Sequence, residues 1–397
     1  MNPPAFAHAP SIWPVDAPRA VLIARMWVPG SGPVLVRVQP DGVFDLSGLA
    51  LTCSELLESP NTADRVRALS APRLADTATV LSATQPEHAN DHPMRLLAPC
   101  DLQAVKAAGV TFVASMLERV IEERARGNAS LAEAARQAVV AVMGKDLSLV
   151  RPGSPQAAHL KAVLVAKGMW SPYLEVGIGP DAEIFTKAPC MSAVGWGSEV
   201  GIHPNSEWNN PEPEIVLAVN SRGQTVGASL GNDVNLRDFE GRSALLLGKA
   251  KDNNGSCAIG PFIRLFDQHF GIDDVRQCDV SLRIEGNDGF VLQGSSALSK
   301  ISRDPLDLVG QAMGVHHQYP DGMMLFLGTM FAPTQDRPLP GKPAGQGFTH
   351  LVGDAVHIST PRLGCLSNRV NTSDQVRPWT YGLGQLLRDL ARRSTPA

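Results

Sequence analysis

Apolar and polar positions divide this chain into three stretches of different rhythm. Near the N-terminus, Val21 to Trp27 and Val34 to Val38 are strand-like runs, broken by Pro29-Gly30-Ser31-Gly32-Pro33. Asp41-Gly42 marks a further turn, and Ser54-Glu55-Leu56-Leu57 opens a helix. The middle changes period. Phe112 to Arg126 and Leu131 to Met143 place apolar residues at helical spacing, with Asn128-Ala129-Ser130 between them. Ser130 is the expected N-cap of the second helix, with Glu133 three residues on. From Tyr173 to Asn371 the pattern turns to short strands and Gly/Pro turns, and Tyr381 to Arg393 predicts a last helix. Leu96-Leu97-Ala98-Pro99 reads as a linker. Residues 1–95 are therefore expected to form a smaller β-rich N-terminal domain and residues 96–397 a catalytic one. The fold class is α+β, rich in strand.

The most informative stretch lies in the third region. Glu212-Pro213-Glu214 precedes the apolar run Ile215 to Val219, the turn Asn220-Ser221-Arg222-Gly223 and a second strand from Thr225 to Ser229. Residues two apart on a strand share a face. Pro211 and Pro213 bias their neighbours toward extended backbone. Glu212 and Glu214 should thus aim together, and the hairpin should return Asp233 beside them. An isolated Glu-x-Glu is ordinarily a solvated pair; the flanking hairpin changes that reading. Three hard oxygen ligands without His or Cys favour Mg²⁺, with Mn²⁺ or Ca²⁺ as substitutes, over zinc. Eighteen residues beyond Asp233 stands Lys251, with Lys249 as its neighbouring competitor.

Bulk properties narrow the function. With 44% hydrophobic and 19% charged residues and a net charge of −4, the chain reads as globular and carries no basic footprint for nucleic acid. No run approaches the roughly 20 apolar residues of a membrane span. The start, Met1-Asn2-Pro3-Pro4, does not read as a signal peptide. Six scattered cysteines without a CxxC pair suggest reduced thiols, and hence a cytoplasmic setting.

Taken in order, several pieces resemble the fumarylacetoacetate hydrolase superfamily across most of residues 96–371. They are Phe185-Thr186-Lys187-Ala188-Pro189, Glu212-Pro213-Glu214, Asn232 to Asp238, Lys251 with Gly260-Pro261, Gly328-Thr329, and Gly353-Asp354-Ala355-Val356. The resemblance implies a mixed β-sheet roll, a homodimer or dimer of dimers, and a divalent ion held by Glu212, Glu214 and Asp233. It also implies Lys251 and Arg237 beside the substrate, and Gly328 and Thr329 at its carboxylate. The hydrolases of that family carry Asn-Tyr-x-x-His-x-x-Glu. Here Glu118 stands at the Glu position and Ser115 at the His position. Serine is no general base near neutral pH. The Ser form is similar to the branch that dehydrates 2-keto-3-deoxy sugar acids, closest to the 2-keto-3-deoxy-pentonate dehydratases.

That chemistry suits the residues. A 2-keto acid offers carboxylate and keto oxygens to a metal, which makes its C3 proton labile. Lys251, if its pKa is lowered, is the expected base. Glu118, if its pKa is raised, is the expected proton donor to the leaving hydroxyl. Ser115, Arg237, Gly328 and Thr329 are the expected substrate contacts. The product would be 2-oxoglutarate semialdehyde. Two alternatives stand beside this reading: a metal-dependent C–C hydrolase of an acylpyruvate or 2,4-diketo acid, with His203 or another group replacing the missing imidazole, and a non-catalytic metal-binding module. His203 precedes Pro204-Asn205 and reads rather as a turn residue, as do His316 and His317. Residues 1–95 are expected to pack or to organise a dimer.

Overall fold

The computed structural model describes residues 6, 8–85, 94–143, 150–166, 168, 170–338, 345 and 347–394. The expectation for Met1 to Pro4 lies outside them. The described part is a mixed α+β structure built on two large sheets. One has eleven strands. Its path runs through Arg73–Ala75, Gly42–Asp45, Gly32–Gln39, Leu22–Val28, Cys257–Leu265, Thr225–Asp233, Pro213–Val219, Met323–Phe326, Ala104–Gly109 and Glu183–Ala188, and Arg95–Leu97 pairs with Leu22–Val28 off this path. The second has five strands: Val291–Ala297, Asp279–Glu285, Ala355–Thr360, Gly364–Thr372 and Glu199–Ile202.

The N-terminal strands do not form a sheet of their own. Leu22 and Ile23 pair antiparallel with Arg264 and Ile263, so the sheet runs unbroken across the position where a boundary at 95/96 was expected. Leu96 and Leu97, read as linker, are strand residues opposite Met26 and Arg25. The reason is tertiary: two apolar residues before Ala98-Pro99 are too few to signal a strand, and only the neighbouring edge recruits them. A second correction is local. Asn128, not Ser130, caps the turn before the helix Ala132–Met143; its side chain accepts from Ser130 N–H at 3.0 Å. Asn competes strongly for such a position.

The central strand shows why the site is rigid. All seven residues of Pro213–Val219 are buried. Ile215, Leu217 and Val219 join one apolar cluster, while Val216 and Ala218 join another on the opposite face. A strand covered on both faces is a near-continuous apolar run, as this one is in sequence. Each of the larger side chains, Ile215, Val216, Leu217 and Val219, contributes about 1.5–3 kcal/mol by leaving water. The parity that sends Val216 to the second cluster also fixes the face of Glu214 and Glu212. The partner strand keeps close company: a Cβ at Gly231, opposite Glu214, would meet the Phe326 ring at 2.2 Å.

All six cysteines are free thiols. Among the described residues, no helix is long and apolar enough to cross a membrane.

Candidate metal centre

The hairpin delivers the three carboxylates to one place. Pro213 lies opposite Asn232 and Glu214 opposite Gly231. At the open end Asp233 N–H donates to the Glu212 carbonyl at 3.1 Å, and Glu212 N–H donates to Asn232 Oδ1 at 3.1 Å. Glu212, Glu214 and Asp233 each offer an oxygen within 4.8 Å of the others, and all three are buried. The following strand end closes over Glu214. Gly328 N–H donates to Glu214 Oε2 at 2.7 Å and Thr329 Oγ1–H to Oε1 at 3.3 Å. Gly328 holds φ at +102°, and a Cβ there would strike Thr111 Oγ1 at 1.9 Å, so only glycine presents this N–H.

Two lysines complete the inner ring. Lys251 ends the short helix Leu247–Lys251; its ammonium donates to Glu212 Oε2 and, at 3.2 Å, to Asp233 Oδ2. Lys187 is fully buried, with Nζ 2.9 Å from Asp233 Oδ1 and donating to the carbonyls of Val234 and Lys251. Lys249 is exposed and lies outside the ring.

An outer ring descends from the helix Val113–Arg124. Arg119 reaches Glu212, and lies 2.8 Å from both Glu122 and Glu240. Arg237 donates to Glu122 Oε1 at 2.7 Å and to Glu118 Oε2 at 2.9 Å, and lies over the Trp208 ring. It does not pair with Asp238, which instead accepts from Ser206 and the Glu207 N–H.

Electrostatics follow from this census. Six buried carboxylates (Glu118, Glu122, Glu212, Glu214, Asp233 and Glu240) face four buried cations (Arg119, Lys187, Arg237 and Lys251). With the half-buried Arg136 on Glu118 the cluster holds five cations to six carboxylates, and the oxygen-only donors Glu212, Glu214 and Asp233 fit a divalent cation of the Mg²⁺ kind. Glu214 registers the crowding: burial, then Asp233 and Glu212, push its carboxyl well above the usual range. Burial also raises Glu212, but Arg119 and Lys251 outweigh it and bring its pKa down to about 2.

Two sequence expectations do not hold in this arrangement. Glu118 was to donate a proton from a raised pKa. Burial does raise it, but Arg136 and Arg237 outweigh burial and hold it below its ordinary value. Lys251 was to have a lowered pKa. Burial does lower it, yet Asp233, Glu212 and Glu240 together push it up. Conversely Glu240, which the sequence did not single out, is raised to about 7, chiefly by burial. Ser115 turns its hydroxyl back to the Phe112 carbonyl at 2.9 Å. His203 accepts from Asn205 N–H within its turn, and His316 and His317 are exposed.

Sequence reasoning thus found seven members of this cluster: Glu118, Glu212, Glu214, Asp233, Arg237, Lys251 and the Gly328-Thr329 pair counted as one. It gave no role to Arg119, Glu122, Lys187 or Glu240. Glu118 and Glu122 stand four apart on one helix face, which was the available signal.

No protein-family model matches the chain. It is 30% identical over 200 residues to the probable 2-keto-3-deoxyxylonate dehydratase of Haloferax volcanii, across 50% of this chain and 64% of that protein. It is 32% identical over 157 residues to the 2-dehydro-3-deoxy-D-arabinonate dehydratase of Saccharolobus solfataricus, across 40% of this chain and 51% of that one. Both matches span less than two thirds of the relatives' length. Among solved structures, a 2-keto-3-deoxy-D-arabinonate dehydratase complexed with magnesium and 2,5-dioxopentanoate aligns with a TM-score of 0.60 at 21% identity, covering 88% of this chain and 99% of that chain. A fumarylacetoacetate hydrolase from psychrophilic Exiguobacterium antarcticum aligns with a TM-score of 0.52 at 16% identity, covering 89% of this chain and 100% of that chain. The chain shares its fold with these solved structures, a fumarylacetoacetate hydrolase among them, and the two curated proteins it resembles are named as 2-keto-3-deoxy-pentonate dehydratases, in line with the sequence motifs.

Proposed function

We propose that the chain is a Mg²⁺-dependent hydro-lyase that removes water from a 2-keto-3-deoxy-D-pentonate to give 2-oxoglutarate semialdehyde, in non-phosphorylative pentose catabolism. The observation that carries this reading is the convergence of the buried Glu212, Glu214 and Asp233 on one point, in a chain whose curated relatives are pentonate dehydratases. Those three side chains would hold the ion. A bound divalent ion supplies Lewis acidity, which makes the C3–H of a 2-oxo acid more acidic.

The chain's own residues account for the rest. Gly328 N–H and the Thr329 hydroxyl, which hold Glu214, are the groups assigned to a substrate carboxylate. Lys251 Nζ, between Glu212 and Asp233, is the group assigned to the proton at C3; it can take that proton only as the free amine, so a divalent ion on Glu212 and Asp233 would have to offset the acids that otherwise keep it a cation. Arg136 and Arg237 keep Glu118 ionised, so Glu118 serves to position Arg237. Glu240, raised to about 7 by burial, is the carboxyl better suited to protonate the departing C4 hydroxyl. The C3 proton and C4 hydroxyl leave as water to give a 2-oxo-3-ene; a proton then moves from C5 to C3, and the C4–C5 enol so formed tautomerises to the C5 aldehyde. No electrons are transferred to a redox cofactor. Ser115 in place of an imidazole removes the base that a hydrolytic route would need.

Purified protein with Mg²⁺ and 2-keto-3-deoxy-D-pentonate should form an aldehyde that semicarbazide traps. Release of pyruvate from a 2,4-diketo acid without dehydration would replace this reading with the hydrolase. Lys251→Met should retain the metal and lose solvent exchange at C3. Persistent exchange in that variant would remove Lys251 as the base.

A further inference from the structure

A second charged region lies apart from the carboxylates. A cavity of about 900 Å³ opens between the strand Leu22–Val28, the loop after residue 190, and the C-terminal segment with its helix Leu383–Ser394. None of the metal-centre residues named above lines it. Four arginines do, namely Arg25, Arg95, Arg377 and Arg392, against the carboxylates of Glu199 and Asp389. Both carboxylates are engaged: Glu199 accepts from Asn371, and Asp389 from Tyr381, Gln385 and Arg392. Arg25 is likewise spoken for, by Asp101 and the carbonyls of Ala98 and Cys100.

Arg95 and Arg377 are different. Neither has a carboxylate partner among the described residues. Arg95 is half-buried, its guanidinium 5.3 Å from the centroid of the Trp27 ring. Burial and then the neighbouring Arg377 pull its pKa down to about 10, which leaves it a cation at neutral pH beside another cation. Two unpaired guanidiniums on one wall recruit an anion, and their planar forks match a carboxylate or phosphate. The aromatic side chains define the rest of the occupant. Trp27 is covered by Arg95 on its face and by Tyr381 at a ring separation of 5.1 Å. Trp379 is pinned through its Nε1–H to the Tyr381 carbonyl at 2.9 Å, yet 46% of it is exposed. It is the open ring on the cavity wall, available to stack.

We propose that this cavity is a binding site for a small organic anion with a flat ring. Its carboxylate or phosphate is held by Arg95 and Arg377, and its ring lies on Trp379. The cavity and the metal centre share no residue, although they are neighbours along the chain. Asn254, on the cavity wall, follows Lys251 by three residues, and Met191, also on the wall, follows Lys187 by four. The pentonate substrate is anionic but has no ring, so this ligand is of another class, and the inference does not depend on the proposed reaction.

Titration calorimetry on the full chain tests it with four probes: AMP, benzoate, adenosine and inorganic phosphate. AMP or benzoate should bind saturably, about tenfold or more tighter than adenosine and inorganic phosphate, and each source of negative charge is read separately. Arg95→Gln with Arg377→Gln should lower that affinity by about tenfold or more, and Arg95→Lys with Arg377→Lys by less. Mg²⁺ binding should not change in either variant, which keeps failure here distinct from failure of the metal centre. The proposal is overturned if neither ring-bearing anion saturates the protein, if adenosine or inorganic phosphate binds as tightly as they do, or if the glutamine pair binds like the parent.

Discussion

The metal centre and the arginine cavity are both unbalanced in charge, in opposite directions and in different solvent. In the centre, six buried acids face four buried cations and the half-buried Arg136; in the cavity, four arginines face two acids, with Arg377 exposed and Arg95 half-buried. Burial makes leftover charge costly, since water no longer screens it. Hence the centre wraps nearly every carboxylate in guanidinium, ammonium or backbone N–H, and what remains calls for a small, dense cation. The cavity leaves two cations without a carboxylate partner among the described residues because solvent supports them. Its ligand should therefore be held less tightly and be more sensitive to salt.

The largest expected effect breaks the first half of that contrast. Glu214→Ala should weaken Mg²⁺ or Mn²⁺ binding by more than about a hundredfold and abolish turnover, since it deletes a ligand outright. Unchanged metal affinity in calorimetry would dissolve the assignment. Next in size is a matched pair of arginine deletions. Arg237→Ala leaves Glu118 and Glu122 short of a buried partner and should cost about 3–5 kcal/mol in urea unfolding. Arg377→Ala, exposed and unpaired, should change stability by no more than about 0.5 kcal/mol. Equal costs would mean that the two regions do not differ in the way described.

His357 offers a third case, a buried group with little counter-charge. Burial lowers its pKa from 6.5 to about 4, against weaker opposing influence from Glu285. The unfolded chain then binds more protons than the folded one between these values. Its contribution is fully present above pH 6.5 and is lost as pH falls toward 4. Stability should fall by about 2–3 kcal/mol over that window, and His357→Gln should flatten the slope. The smallest effect is a cross-check. Glu214→Ala should leave anion affinity in the cavity within about twofold, because the two regions share no residue. A larger change would show that they are coupled.

Much of the centre was legible because its logic is local. Glu212, Glu214 and Asp233 sit on one hairpin, where the period of two and a single turn fix which side chains meet. Gly328 and Thr329 follow directly from the end of an apolar strand. What escaped was long-range. Arg119 is unremarkable in sequence and Lys187 stands in a family-like run without a role of its own; only the packing of the helix Val113–Arg124 and the strand Glu183–Ala188 against the hairpin makes them partners of Glu212 and Asp233. The strand at Arg95–Leu97 escaped for the same reason, being completed by a neighbour more than sixty residues away.

The chain by itself determined the carboxylate trio, its face and its preference for a hard cation, because strand alternation and turn chemistry act over a few residues. The tertiary structure alone decided which of these groups carry charge. Glu118 is ionised through Arg136 and Arg237, Lys251 is held as a cation by three acids, and Glu240 is raised by burial. A pKa depends on desolvation and on every charge within a few ångströms, and those neighbours come from segments that sequence order does not bring together.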